Sequence, residues 1–88
     1  MPTVIAYHEV DDHDHWLASS NREEFFGPLG VTGIREFADP ENPTRVAVLM
    51  EVSDMDALGA ALQTEDAQKV MSEDGVKGET LVMLVAEK

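Results

Sequence analysis

Three histidines stand close together near the start of the chain, His8, His13 and His15, interleaved with Glu9, Asp11, Asp12 and Asp14. Imidazoles among carboxylates suit two kinds of chemistry. One is proton transfer near neutral pH, where histidine titrates. The other is coordination of zinc, iron or copper. Spacing limits the second. His13 and His15 are two residues apart on an expected helix and point away from each other, so at most two of the three converge. Histidines on the surface or partly packed are the commoner explanation of such a cluster. His8 and His13 are the candidate proton-transfer groups, and no residue is assigned as a metal ligand.

The aromatic side chains are Tyr7, Trp16, Phe25, Phe26 and Phe37. Core packing is the default for each. Trp16 and Tyr7 also suit a cavity wall, having an apolar body and a polar tip. Arg35 falls inside an expected strand, where an edge salt bridge is the ordinary explanation; it could also pair with Glu51 or Glu9, or hold an anionic ligand. Tyr7, Trp16, Arg35 and Phe37 are the candidate ligand-binding residues. Cysteine is absent, which excludes disulfides, thiolate metal sites and thiol nucleophiles. There is no Gly-x-Ser-x-Gly, and the glycines match neither a P-loop nor a dinucleotide fingerprint. No cofactor is expected.

These residues must be positioned by a short succession of elements. Thr3 to Val10 is β-branched and aromatic and reads as a strand. Asp11 or Asp12 caps a helix from about His13, which breaks near Ser19. Ser20 to Glu23 matches a capping box that restarts it, and Gly27-Pro28 ends it. Val31 to Ala38 and Thr44 to Val52 read as strands joined by a turn over Asp39 to Pro43. Ser53 or Asp54 caps a second helix bearing Met55, Leu58 and Leu62 on one face, and Thr64 recaps its continuation to about Ser72. Gly75 and Gly78 bracket a turn, and Thr80 to Ala86 is the last strand.

The order βαββαβ is reinforced by a weak internal repeat. Val4, Glu9, Val10, Asp12, Asp14, Ala18 and Glu23 each recur at an offset of 42 residues, from Val46 to Glu65. Two β-α-β units in succession make the ferredoxin-like α+β fold, a four-stranded antiparallel sheet with strands one and three at its centre. Where the halves agree, the shared cause is structural. Where they differ, function has room to intervene. His8 stands opposite Met50, His13 opposite Met55 and Trp16 opposite Leu58. His8 is therefore expected on the face of Val4, Ala6, Val10, Val46, Val48 and Met50, with Tyr7 and Leu49 on the other.

Strands three and four are apolar on both faces. Two helices cover one face of a four-stranded sheet, so a second copy of the chain is the simplest cover for the other. The 88 residues make one expected domain, residues 1–88, and its small size makes burial through association helpful. The net charge of −12 argues against nucleic acid, whose phosphates require lysine and arginine, and against anionic membranes. No stretch reads as a signal peptide or a membrane span, so the expected location is cytoplasmic.

The element order, the length, and the Val-x-Asp-x-Asp-x-(Trp/Leu) repeat at both strand-to-helix junctions resemble the dimeric α+β-barrel superfamily. The run from His13 to Gly30 is similar to short uncharacterised bacterial members. The resemblance implies a homodimer through sheet faces, relatives such as cofactor-independent antibiotic-biosynthesis monooxygenases, haem-degrading enzymes and small isomerases, and no particular catalytic residue. The first expectation is a small-molecule-binding barrel, with oxygenation or isomerisation of an aromatic or enolic substrate as the reaction if it is an enzyme. The alternatives are a non-catalytic dimeric ligand- or protein-binding module, and a histidine-based metal-binding protein.

Overall fold

The computed structural model describes residues 2–87. Strands β1 (Thr3–Val10), β2 (Val31–Asp39), β3 (Asn42–Val52) and β4 (Val76–Val85) and helices α1 (His13–Ala18), α2 (Asn21–Phe26), α3 (Met55–Leu62) and α4 (Glu65–Glu73) follow one another as β1-α1-α2-β2-β3-α3-α4-β4. A single 3-10 turn, Gly27–Leu29, follows α2. The strands form one antiparallel sheet in the order β2-β3-β1-β4, the ferredoxin-like α+β arrangement. No helix among the described residues is long and apolar enough to cross a membrane.

Alternation along the central strands divides the sheet cleanly. Val4, Ala6, His8 and Val10 of β1 and Val46, Val48, Met50 and Val52 of β3 are all buried beneath the helices. Trp16 from α1 and Leu58 from α3 press onto them, each 1% exposed. The repeat is visible in the geometry. Ala6 is both the repeat counterpart and the cross-strand partner of Val48, so the axis relating the halves passes between these two residues. His8 and Met50 sit on opposite sides of that axis.

Capping explains where the helices begin. Asp12 accepts from the backbone N–H groups of Asp14 and His15, and Asp54 from that of Ala57. Of the paired candidates, the second residue takes the cap in both halves. Thr64 caps α4 through the N–H of Ala67. Ser20 departs from expectation: it precedes α2 without a side-chain capping bond. Ser19 Oγ accepts from the Asn21 N–H instead, at 3.1 Å. Gly30 closes the 3-10 turn at φ +82, and a Cβ there would collide with the Ser53 hydroxyl that donates to the Gly30 carbonyl.

β4 begins at Val76, four residues earlier than the sequence reading, and Gly78 lies within it. The turn chemistry of Gly78 and Glu79 serves a bulge. The register with β1 shifts between Tyr7↔Val82 and Glu9↔Lys77. There the Thr80 hydroxyl accepts from the Glu9 N–H at 2.9 Å and donates to the Lys77 carbonyl at 2.6 Å, standing in for the interrupted ladder.

The second sheet face carries no helix. Cross-strand register places Phe37, Ala47, Tyr7 and Val82 in one row and Arg35, Leu49, Ile5 and Leu84 in the next. Tyr7 is 42% exposed and Leu84 52%. Arg35 and Phe37 pair on this face, the guanidinium 5.2 Å from the ring centre.

Candidate functional site

Between the helix-covered face of the sheet and helices α1, α2 and α4 lies a cavity. The space open to the centres of water molecules within it is about 70 Å³. Its floor is Ala6, His8, Val48 and Met50 of the central strands, with Leu81 and Met83 of β4. Its roof is Trp16, Phe25 and Phe26, with Ala67, Val70 and Met71 of α4. The wall is almost wholly apolar, and three polar side chains reach it: His8, Arg22 and Asp74.

His8 is placed by strand alternation. Every second residue of β1 faces inward, and the position that would be apolar by that pattern holds an imidazole that is 7% exposed. Its ring meets Trp16 edge-on, centres 6.0 Å apart. Its Nδ1 is buried without a hydrogen-bond partner among the described residues. A buried polar atom left unpaired costs about 1–3 kcal/mol. Burial holds the His8 pKa below 6.5; the Glu9 backbone opposes this, the Arg22 cation adds to it, and Asp74 opposes it. The imidazole is thus neutral at pH 7, with one ring nitrogen a donor and the other an acceptor.

Arg22 and Asp74 form the polar end of the roof, and they are the site residues that the sequence reading passed over. Arg22 is 4% exposed and Asp74 3%. The arginine Nη2 donates to the Trp16 carbonyl at 2.9 Å, Nη1 to Asp74 at 3.5 Å and Nε to Glu36 at 3.3 Å. Its guanidinium lies 4.3 Å from the centre of the Trp16 ring. Asn21 donates to the other Asp74 oxygen at 3.0 Å. Bidirectional satisfaction of this kind is what makes a buried ion pair tolerable, because removing two charges from water is expensive. The signal was in the helical spacing. Arg22 shares a helix face with Phe25 and Phe26, and Asp74 follows Val70 and Met71 by four and three residues, so each charge belongs to an inward-facing stripe.

The six candidate residues divide between two faces. His8 and Trp16 meet in the cavity. His13 lies outside its wall, centre to centre 6.4 Å from Trp16, with Nδ1 3.1 Å from Asp14. Tyr7, Arg35 and Phe37 are together on the opposite, uncovered face of the sheet. The three histidines do not converge: His15 Nε2 donates to the Glu73 carbonyl at 2.7 Å. Among the described residues no group of three histidine or acidic side chains is arranged to hold a metal ion.

No protein-family model and no curated protein matches the chain. Solved structures do. One from Bordetella bronchiseptica, provisionally assigned as an antibiotic biosynthesis monooxygenase, superposes with a TM-score of 0.72 at 19% identity, covering 99% of this chain and 95% of that one. Another with the same provisional assignment, from Bacteroides thetaiotaomicron, gives 0.67 at 21% identity over 99% and 88% of the two chains. A conserved protein from Methanosarcina mazei gives 0.67 at 16%, over 99% and 91%. At such identities the likeness establishes a common ferredoxin-like α+β fold, one that monooxygenase-like proteins share; fold alone does not carry activity.

Proposed function

We propose that the chain binds a small molecule in the cavity beneath α1, α2 and α4, and works as a homodimer joined through the uncovered sheet faces. One observation carries the binding reading: an imidazole without a partner for Nδ1, buried in the wall of an otherwise apolar cavity. Concave apolar sites with few polar groups are what ligand pockets look like. The dimer reading is supported by the exposed apolar side chains Phe37, Tyr7, Val82 and Leu84 in the two rows on the other face, which a second copy would cover.

If a reaction follows binding, His8 is the proton acceptor. A neutral imidazole takes the proton of a phenol or enol; the resulting carbanion either adds dioxygen and takes the proton back as a hydroperoxide, which loses water to leave a carbonyl with the substrate supplying the electrons, or is reprotonated elsewhere, giving oxygenation or isomerisation without a bound cofactor. The same unpaired Nδ1 favours a non-catalytic binding protein, since no side chain orients His8 through it, the support a general base ordinarily has.

Trp16 is the single tryptophan, and it lines the cavity. Its indole N–H resonance therefore reports occupancy. A screen of small aromatic compounds should move that resonance in a saturable way, and Ala67→Leu, which fills the roof, should abolish the response. Ligands that shift only Tyr7 and Phe37 would contradict the assignment. Light scattering should give twice the chain mass at micromolar concentration, and Leu84→Glu should give a monomer.

A further inference from the structure

From the way α2 is fastened we infer that it is a gate beside the cavity. The segment Asn21–Leu29 swings away from α4, turning at Ser19–Ser20 and at Gly30, and a polar latch at the end of α4 holds it shut.

Little apolar burial holds this segment. From Asn21 to Gly30 the one buried side chain is Arg22; Phe25 and Phe26, which line the cavity, are only half-buried. The other helices each sink an apolar side chain: Trp16 from α1, Leu58 from α3 and Ala67 from α4. Local opening is cheapest where the fewest apolar contacts are lost, so α2 is the helix that separates first.

What fastens α2 is polar. Arg22 Nη1 and Asn21 Nδ2 donate to the two oxygens of Asp74 at 3.5 and 3.0 Å, and Asn21 Nδ2 also reaches Glu73 Oε2 at 3.3 Å. Arg22 Nε donates to Glu36 of β2. The post that receives these bonds is anchored without α2. The Asp74 N–H donates to the Val70 carbonyl, the Asp11 N–H donates to the Gly75 carbonyl at 2.9 Å, and His15 bonds the Glu73 carbonyl. Outward movement of α2 admits water to Arg22 and Asp74 together. Neither charge is then stranded, because each exchanges a protein partner for solvent.

The seam that would part leads to the cavity. On its outer side is a groove lined by Asn21, Glu24, Asp66 and Lys69. Phe25 of α2 and Val70 of α4 line both this groove and the cavity, so separating them joins the two spaces. Each end of the segment can take up the rotation. Ser19 is extended between α1 and α2, at φ −72 and ψ 138, and Gly30 at φ +82 leads into β2. Backbone rotation in lid movements is absorbed at such element ends. Arg22 travels with α2, and its guanidinium covers the Trp16 ring at 4.3 Å. Opening therefore bares the single tryptophan, which reports the gate with no ligand present.

The test uses the full chain and acrylamide, a neutral solute that quenches tryptophan fluorescence on contact. The chain has no cysteine, so Asn21→Cys/Glu73→Cys puts one thiol on each side of the seam, where the native side chains meet at 3.3 Å. With the thiols free the latch is weakened, and quenching of Trp16 should rise roughly threefold or more over the unmodified chain. With the thiols bridged by a short bifunctional reagent, quenching should fall to the unmodified value or below. Equal quenching with and without the bridge overturns the gate, because the solute then reaches Trp16 by another path. In the unmodified chain the amides of Glu24, Phe25, Phe26 and Gly27 should exchange with deuterium as one group, about 100-fold or more faster than those of β1 and β3. Exchange of α2 at the rate of the central strands overturns the gate as well, and that measurement decides alone should the double variant fail to fold. Either failure leaves the cavity as a binding site.

Discussion

The two halves of the chain make the same skeleton from different chemistry. β1, α1 and α2 repeat in β3, α3 and α4, with Asp12 and Asp54 capping their first helices alike and Trp16 and Leu58 equally buried. The differences concentrate on one side of the axis. His8 occupies the place of Met50, and Arg22 that of Thr64. Where the second half uses Thr64 as an ordinary cap for α4, the first half sends a guanidinium inward over Trp16. Features that a strand end or helix start requires were retained in both copies. His8 and Arg22 stand in the core of the first copy and Asp74 in that of the second, and all three border the same cavity. A half that needed stability alone would have no cause to replace a methionine with a histidine lacking a partner.

The largest expected break in this comparison comes from Arg22→Leu. It leaves Asp74 buried and uncompensated, which costs about 3–5 kcal/mol. The counterpart change, Thr64→Ala, removes a cap and costs about 1 kcal/mol. Urea unfolding of the two variants should show that asymmetry, and equal losses would place Arg22 outside the core. Next, Asp12→Ala and Asp54→Ala should each lose about 1 kcal/mol, typical of a lost helix cap, because the capping role is shared. A loss confined to one would break the equivalence of the halves.

The smallest change is the most diagnostic. His8→Met restores the residue of the second half and should alter stability at neutral pH by less than about 1.5 kcal/mol, with a gain expected because the unpaired nitrogen is gone. It should also change the pH dependence. Burial keeps the folded His8 pKa below 6.5, so the unfolded chain binds the proton more readily. The stability this represents is whole above pH 6.5 and is lost as pH falls through the lower folded value. The His8→Met variant should lack that component of acid destabilisation. Identical acid profiles for the two proteins would mean His8 is solvated.

Much of this was legible in the residues. Alternation in Thr3–Val10 and Thr44–Val52 gave the buried face and put His8 on it, and the repeat gave both aspartate caps. β4 was read short because Gly78 and Glu79 have turn chemistry, and only the pairing with β1 reveals that Thr80 carries the ladder across a bulge. Ser20 was read as a cap from a four-residue pattern, whereas the neighbouring Ser19 hydroxyl takes the bond. Arg22 and Asp74 escaped because Arg22 lies on a short helix and Asp74 directly follows one, at positions where a charge is ordinarily solvated. Their partnership spans 52 residues of chain and exists only in the fold. That Tyr7 and His8, adjacent in sequence, are on opposite faces followed from strand alternation, whereas the grouping of Arg35 and Phe37 with Tyr7 needed the register of the sheet.

The claim that the first half built a ligand site is tested most directly by a crystal structure of the chain soaked with p-cresol, a small phenol. The account predicts its ring between Trp16 and the floor of β1 and β3. A cavity closed by its own side chains, with the compound seated on the Tyr7 and Phe37 face instead, would contradict it.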